Sequence, residues 1–274
     1  MKIQPHTSWL FDVDGVLTDP EAKRITQQEI FNELIKRLKK GESIGFNTGR
    51  SLDFMIAQIL EPLEEMLKND RSLLRNIIAV GEKGAAWVIY NDNSERTITV
   101  DPNISVPQEI QDQVRKLVNQ PYYSDTMFYD ETKRTMVSVE LKSGRTVAEF
   151  KGPQQDLTLA LHTLLNEHHL EDNFKVDPTR IATDLENKQV GKALGTRKFI
   201  ELLGGMGIKP QEYICFGDSA SDYEMFEELS RLGKKSQFVF VGGKEHLTGE
   251  KKLSSVTFTD QLVDKGTLEY LQSH

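Results

Sequence analysis

Two carboxylates stand two positions apart at the end of an apolar run. Trp9-Leu10-Phe11 leads directly into Asp12-Val13-Asp14-Gly15-Val16. Such a run reads as a buried strand that opens into a loop. Residues two apart on a strand return to the same side, so Asp12 and Asp14 face one small volume just past its end. Carboxylates that close repel each other and do not both stay ionised cheaply without a cation. A divalent metal resolves the conflict, leaving one carboxylate to attack and the other to handle a proton. Two plainer readings compete. Asp and Gly favour turns, and the string resembles the opening of a calcium loop, which here lacks the bidentate Glu at its twelfth position.

Three further pieces bear on this choice. Asn47-Thr48-Gly49-Arg50 follows the apolar stretch Ser43 to Phe46. A small hydroxyl and a glycine amide at a helix N-terminus make an anion site from orphan backbone donors and the helix dipole. Plain capping by Thr48 or Ser51 uses the same geometry, so both readings hold together. Gly217-Asp218-Ser219-Ala220-Ser221-Asp222 follows the apolar Tyr213 to Phe216. Asp218 is placed to reach a metal held by the first pair, and Asp222, one helical turn on, to orient a metal water or a lysine. The plainer reading is a helix start capped by Ser219 or Ser221, with Asp222 in the first turn, worth about 1 kcal/mol. Acid pairs at two strand ends of one sheet argue against mere caps, because ligands of open α/β sheets bind outside the carboxyl ends of the strands. Phosphate beside several carboxylates also needs a further cation. Lys188 and Lys192, which precede the strand carrying the last acid pair, are the candidates.

Other nucleophiles and ligands fit less well. Cys215 lies within an apolar strand with no arginine following until Arg231, which describes a buried structural thiol rather than a phosphate loop. His168 and His169, adjacent at a helix end, point about 100° apart and read as solvated.

These residues need elements to hold them. Ile30, Phe31, Leu34, Ile35 and Leu38 mark one helix face, ended by Lys39-Lys40-Gly41. A helix is expected over 51–68, with Pro62 as a kink or break. Ile77 to Val80 reads as a strand. This β-α-β-α-β order implies a parallel, doubly wound sheet. The rhythm then changes: Trp87–Tyr90, an Asn91-Asp92-Asn93-Ser94 turn and Thr97–Val100 read as a hairpin. Helices over 108–118 and 154–167 follow, among strands at 126–129, 135–141, 174–176 and 180–184. The α/β alternation resumes with a helix over 189–203, the strand 213–216, a helix over 223–229, the strand 238–241 and a last helix over 267–271. The expectation is an α/β, Rossmann-like core of residues 1–82 and 183–274, interrupted by an α+β insert at 83–182.

Composition is consistent with that architecture. The 274 residues fit about two domains. A net charge of −8 gives no electrostatic footprint for nucleic acid or an anionic membrane. No run of apolar residues long enough to span a bilayer occurs, and the polar start gives no sign of a secretory signal. One cysteine excludes an intrachain disulfide framework and agrees with a reducing, cytoplasmic location.

In this order the pieces resemble the haloacid dehalogenase-like (HAD) hydrolase superfamily. The match runs Phe11-Asp12-Val13-Asp14-Gly15-Val16-Leu17-Thr18, then Asn47-Thr48-Gly49-Arg50, then a lysine, then Gly217 to Asp222. The four-part order is far more specific than any part alone. The insert between the second and third pieces resembles the larger cap of class IIB members, which include Cof-like sugar phosphatases and sucrose- and trehalose-phosphate phosphatases. The resemblance implies Asp12 as nucleophile through an aspartyl-phosphate, and Asp14 as general acid and then base. It implies Mg²⁺ held by Asp12, the main-chain carbonyl of Asp14, and Asp218, with Asp222 in support. Thr48, Gly49 and Arg50 would hold the phosphoryl group, together with Lys192, or Lys188 as the fallback. Val190-Gly191-Lys192 fits the family's lysine motif, although Ala193 stands where a glycine is usual. Val241-Gly242-Gly243-Lys244 departs from the Gly-Asn-Ala found in many relatives.

The expected function is that of a Mg²⁺-dependent phosphomonoesterase acting on a small phosphate ester, a phosphorylated sugar or glycoside, as a monomer or small homo-oligomer. The insert would close over the site, with Lys83, Arg134 and Lys142 as its candidate substrate contacts. Two rivals remain. One is a phosphosugar mutase, against which Val16 stands where that group has Thr. The other is a catalytically silent binding protein on the same fold.

Overall fold

The computed structural model describes residues 6–247 and 256–274. Its first hundred residues carry β1 (Thr7–Phe11), α1 (Glu29–Lys39), β2 (Ser43–Asn47), α2 (Leu52–Met55), α3 (Glu61–Met66), β3 (Ile77–Gly81), β4 (Ala86–Tyr90) and β5 (Arg96–Val100). A second group follows: α4 (Gln108–Val118), α5 (Pro121–Ser124), β6 (Met127–Tyr129), β7 (Val137–Leu141), α6 (Val147–Glu167), β8 (Phe174–Pro178) and β9 (Ala182–Asn187). The chain then runs through α7 (Lys192–Gly205), β10 (Glu212–Gly217), α8 (Tyr223–Arg231), β11 (Ser236–Phe240), β12 (Val256–Phe258) and α9 (Val263–Ser273).

Eight strands form one sheet in the order β12-β11-β10-β1-β2-β3-β4-β5. From β12 to β3 every neighbouring pair is parallel, and β4 runs antiparallel to β3. Parallel strands covered on both faces are apolar throughout. Accordingly Leu10, Phe11, Ile44, Phe46, Ile78, Val80, Cys215, Phe216, Phe238 and Phe240 have no exposed surface. The register Phe46↔Phe11↔Phe216 aligns the carboxyl ends of β2, β1 and β10 at the centre of the sheet. That alignment is what brings the motif residues together.

The hairpin β4–β5 belongs to this large sheet rather than to the insert. Ala79 pairs with Val88, and Val80 with Trp87, so β4 takes up the backbone groups along the side of β3. At the other junction β9 pairs with β7 and β8. The two compact units therefore divide at Thr99/Val100 and at Val190/Gly191, which corrects the sequence-based boundaries at 83 and 182.

The second unit has its own four-stranded antiparallel sheet, β6-β7-β9-β8. Ile110 and Val114 of α4, with Phe150, Leu157 and Leu161 of α6, pack on Val137, Val139 and Leu185. α6 begins at Val147, earlier than the position 154 read from the sequence. Thr146 and Glu149 form a reciprocal capping box there, and Pro153 is carried inside the helix. In the first unit Pro62 does interrupt the α-helical ladder. Ile56–Leu60 forms a π turn just ahead of it, and the Glu61 amide donates back to the Ile56 carbonyl.

Candidate active site

β1 delivers Asp12 to the carboxyl edge of the sheet, where its amide donates to the Phe216 carbonyl of β10 at 3.0 Å. The chain then turns tightly. The amides of Leu17 and Thr18 both reach the Val13 carbonyl, at 2.9 and 3.0 Å. Gly15 takes φ +69°, and a Cβ at this position would run into the Asp218 carboxylate. Glycine is needed here both for the left-handed backbone and for the close approach. Gly217 and Gly242 leave similar room for the Cβ of Asp222 and the carbonyl of Asp218.

β10 delivers Asp218. Asp222 sits at the start of α8 and folds back on the loop: its Oδ2 accepts the amides of Asp218 (3.2 Å) and Ser219 (3.0 Å) and the Ser219 hydroxyl (2.7 Å). The Asp222 side chain makes no cap hydrogen bond to α8; it braces the loop that precedes the helix. Its Oδ1 lies 2.7 Å from Lys192 Nζ.

Lys192 opens α7. Its ammonium is paired with Asp12 Oδ1 as well as with Asp222, and donates to the Asn47 carbonyl at 2.8 Å. Asn47 returns the contact, its amide nitrogen donating to the Lys192 carbonyl at 2.9 Å. Gly195 provides the space for that amide, since a Cβ there would strike it. The Lys192 ammonium therefore sits beside Asp12. Lys188 lies in the second unit, where its ammonium donates to the Glu171 carbonyl at 2.7 Å.

The loop after β2 is pinned from both sides. The Thr48 amide donates to Val80 at 3.0 Å, and the buried Thr48 hydroxyl accepts the Arg50 amide at 3.1 Å, keeping a proton to give. Ser51 caps α2 by accepting the Phe54 amide at 3.3 Å. The sequence reading placed Lys83 in the insert. It lies instead in the first unit, just past β3. Its amide donates to the Thr48 carbonyl (2.9 Å), and its carbonyl accepts the Gly191 amide (2.8 Å). Glu82 and Lys83 both adopt left-handed backbone, at φ 47° and 57°, to make this stitch. Of the other expected insert contacts, Lys142 donates to the Ser124 carbonyl at 3.0 Å, and Arg134 also lies in the second unit.

Arg50 and Asp14 form a bidentate pair. Arg50 Nε reaches both Asp14 oxygens (3.1 and 2.9 Å), and Nη2 reaches Oδ1 at 2.7 Å. The sequence had suggested Arg50 only as a phosphate contact.

Asp12, Asp218 and Asp222 form an acidic group whose nearest oxygens lie within 4.8 Å of one another. Burial pushes the Asp12 carboxyl up to about 7, with Lys192 pulling the other way and Asp222 adding to the rise. Burial raises Asp218 to about 6, and Asp222 contributes again. Burial also opposes ionisation of Asp222, but Lys192 and Ser219 outweigh it and hold the carboxyl below its ordinary value. For Lys192 burial disfavours the ammonium, yet Asp12 and Asp222 raise its pKa above the usual lysine range. Three carboxylates against one ammonium leave an excess of buried negative charge. The donor set, all carboxylate oxygen, suits a hard divalent cation. Cys215 lies buried within β10, where its surroundings push the thiol far above its ordinary value.

Residues 9–232 match the sequence profile of haloacid dehalogenase-like hydrolases. No curated protein sequence matches the chain. A haloacid dehalogenase-like hydrolase from Bacteroides thetaiotaomicron superposes with a TM-score of 0.64 at 14% identity, covering 98% of this chain and 99% of that one. The C-terminal domain of C. albicans trehalose-6-phosphate phosphatase gives 0.63 at 16%, covering 98% and 92%. Plasmodium falciparum IMP-nucleotidase gives 0.53 at 13%, covering 85% and 64%. With the profile spanning every one of the acidic and basic residues described above, the chain belongs to the haloacid dehalogenase-like hydrolases.

Proposed function

We propose that this protein is a Mg²⁺-dependent phosphomonoesterase that hydrolyses a small phosphorylated metabolite, a sugar or glycoside phosphate, through a phosphorylated Asp12. The observation that carries the reading is the buried Asp12 carboxylate, paired with Lys192 and grouped with Asp218 and Asp222. An Asp12 oxygen attacks phosphorus, and the bond from phosphorus to the leaving oxygen breaks. Asp14 gives that oxygen its proton. Asp14 then takes a proton from water as the water oxygen attacks the same phosphorus, releasing inorganic phosphate and restoring Asp12. Lys192 offsets charge on Asp12 and on the phosphoryl oxygens, while the Thr48 hydroxyl and the Gly49 amide donate to those oxygens. Asp12, Asp218 and the Asp14 carbonyl, with Asp222 in support, would hold Mg²⁺, which would supply charge neutralisation for the transferring group.

The likeness to a trehalose-6-phosphate phosphatase favours a sugar ester, and it covers both chains more fully than the likeness to IMP-nucleotidase. The second unit, residues 100–190, is the proposed selector of the leaving group. No helix among the described residues is long and apolar enough to cross a membrane, and a net charge of −8 gives no attraction to nucleic acid.

Phosphate release over a panel of sugar phosphates and nucleoside monophosphates tests the reading. Turnover is expected with sugar esters in Mg²⁺, lost in EDTA and restored by excess Mg²⁺. Isomerised sugar phosphate without free phosphate indicates the mutase instead. Silence across the whole panel indicates a binding protein.

A further inference from the structure

Asp12 and Asp14 come from one short loop, yet they end up in different electrostatic company. Asp12 is 7% exposed and is held by Lys192 within the acidic group. The Asp14 side chain is 44% exposed, and its carboxylate is no part of that group among the described residues. What holds it aside is the Arg50 fork, with three contacts between 2.7 and 3.1 Å. The fork is itself fixed. Its carbon lies 4.7 Å from the centre of the Phe54 ring, the Arg50 amide is tied to Thr48 Oγ1, and the Arg50 carbonyl accepts the Glu82 amide at 2.9 Å. A planar guanidinium braced in this way fixes both the position and the plane of a carboxylate, which a lysine does not do.

We infer that Arg50 is a positioning residue that keeps the Asp14 carboxylate out of the cation's coordination shell. The inference rests on the proposed reading of Asp12, Asp218 and Asp222 as the cation site. Four carboxylates around one divalent ion bind it more tightly than two or three do, because affinity follows the number of charged ligands. An Asp14 drawn onto the ion is also lost for proton transfer. The two cationic residues thus sort the acids: Lys192 keeps Asp12 inward, and Arg50 keeps Asp14 outward. Once Arg50 is shortened, the Asp14 carboxylate loses this bidentate partner, and the bound ion becomes its alternative.

The test is calorimetric titration with Mg²⁺ alone, in the full chain without substrate. Arg50→Met should tighten the Mg²⁺ dissociation constant about tenfold while lowering turnover, through the added ligand charge. Asp14→Asn alone should leave the constant within about twofold, since its side chain is no ligand in the parent. In the Asp14→Asn background, Arg50→Met should then have no further effect, a non-additivity that reports coupling between the pair. Arg50→Lys keeps the charge but loses the fork, and should tighten binding by an intermediate factor. Arg50→Gln gives the same comparison if the Met variant does not fold.

Equal tightening with and without the Asp14 carboxylate overturns the inference, because loss of a nearby positive charge then explains everything. Unchanged or weaker binding in Arg50→Met overturns it as well. Asp218→Asn separates the two levels of the argument. If the parent binds Mg²⁺ and this variant does not, the cation site stands and only the cycle decides on Arg50. If the parent binds no Mg²⁺, the proposed function itself fails.

Discussion

Asp12→Asn is expected to abolish phosphate release, by on the order of 10³-fold or more, the scale on which removal of a nucleophile acts. The amide has no lone pair of comparable nucleophilicity and forms no acyl-phosphate. Folding is expected to survive for a specific reason. Burial raises the Asp12 pKa to about 7 in the cation-free protein, so the folded state binds that proton more tightly than the unfolded chain does. At a pH above 7 the ionised carboxylate therefore costs stability, and the neutral amide removes the cost. Lys192 keeps Asp222 and the Asn47 carbonyl as partners, so its buried ammonium is not orphaned. In EDTA at pH 8 the variant should be at least as resistant to urea as the parent. In Mg²⁺ the parent should gain more than the variant, because a ligand that binds only the folded state stabilises it by mass action. Retained turnover in a folded Asp12→Asn protein contradicts the covalent route.

Lys192→Met should fail in the opposite way, losing stability and turnover together. It leaves two buried carboxylates, Asp12 and Asp222, facing each other without the ammonium between them. Removing one partner from a buried charge cluster costs about 3–5 kcal/mol. The Asn47 carbonyl loses its donor at the same time. Turnover should fall by about 10²–10³-fold or more, as it does when a preorganised donor to transition-state charge is removed. Excess Mg²⁺ should recover part of the stability, because the ion offsets the same negative charge, but little of the turnover. Urea unfolding with and without Mg²⁺ reads both effects. A variant as stable as the parent in EDTA would show that the ammonium does not bind this site together.

The central strands were legible because parallel strands buried on both faces leave continuous apolar runs. Trp9 to Phe11, Ile44 to Phe46 and Tyr213 to Phe216 each end on the motif they position. Polar residues placed just past such runs have little freedom other than to meet at the sheet's edge. The allegiance of the hairpin at 86–100 was not legible, since its alternating pattern suits either sheet and only the register with β3 decides it. That misassignment carried Lys83 with it into the insert. The partner of Arg50 was hidden because a side-chain pair 36 positions apart leaves no periodic trace. The start of α6 was hidden behind Gly152-Pro153, although Thr146 and Glu149 carry the capping-box spacing that marks it. β12, a three-residue edge strand, was too short for any pattern to reveal.

The covalent bond itself is open to direct observation. The protein is mixed with a turned-over sugar phosphate in Mg²⁺, quenched in acid within a single turnover, reduced with borohydride and digested for peptide mass spectrometry. An acyl-phosphate on Asp12 is reduced to homoserine, so the peptide carrying positions 9–16 should show that change at residue 12 and nowhere else. Homoserine at another acid, or a fully active enzyme that yields none at any time point, contradicts the account.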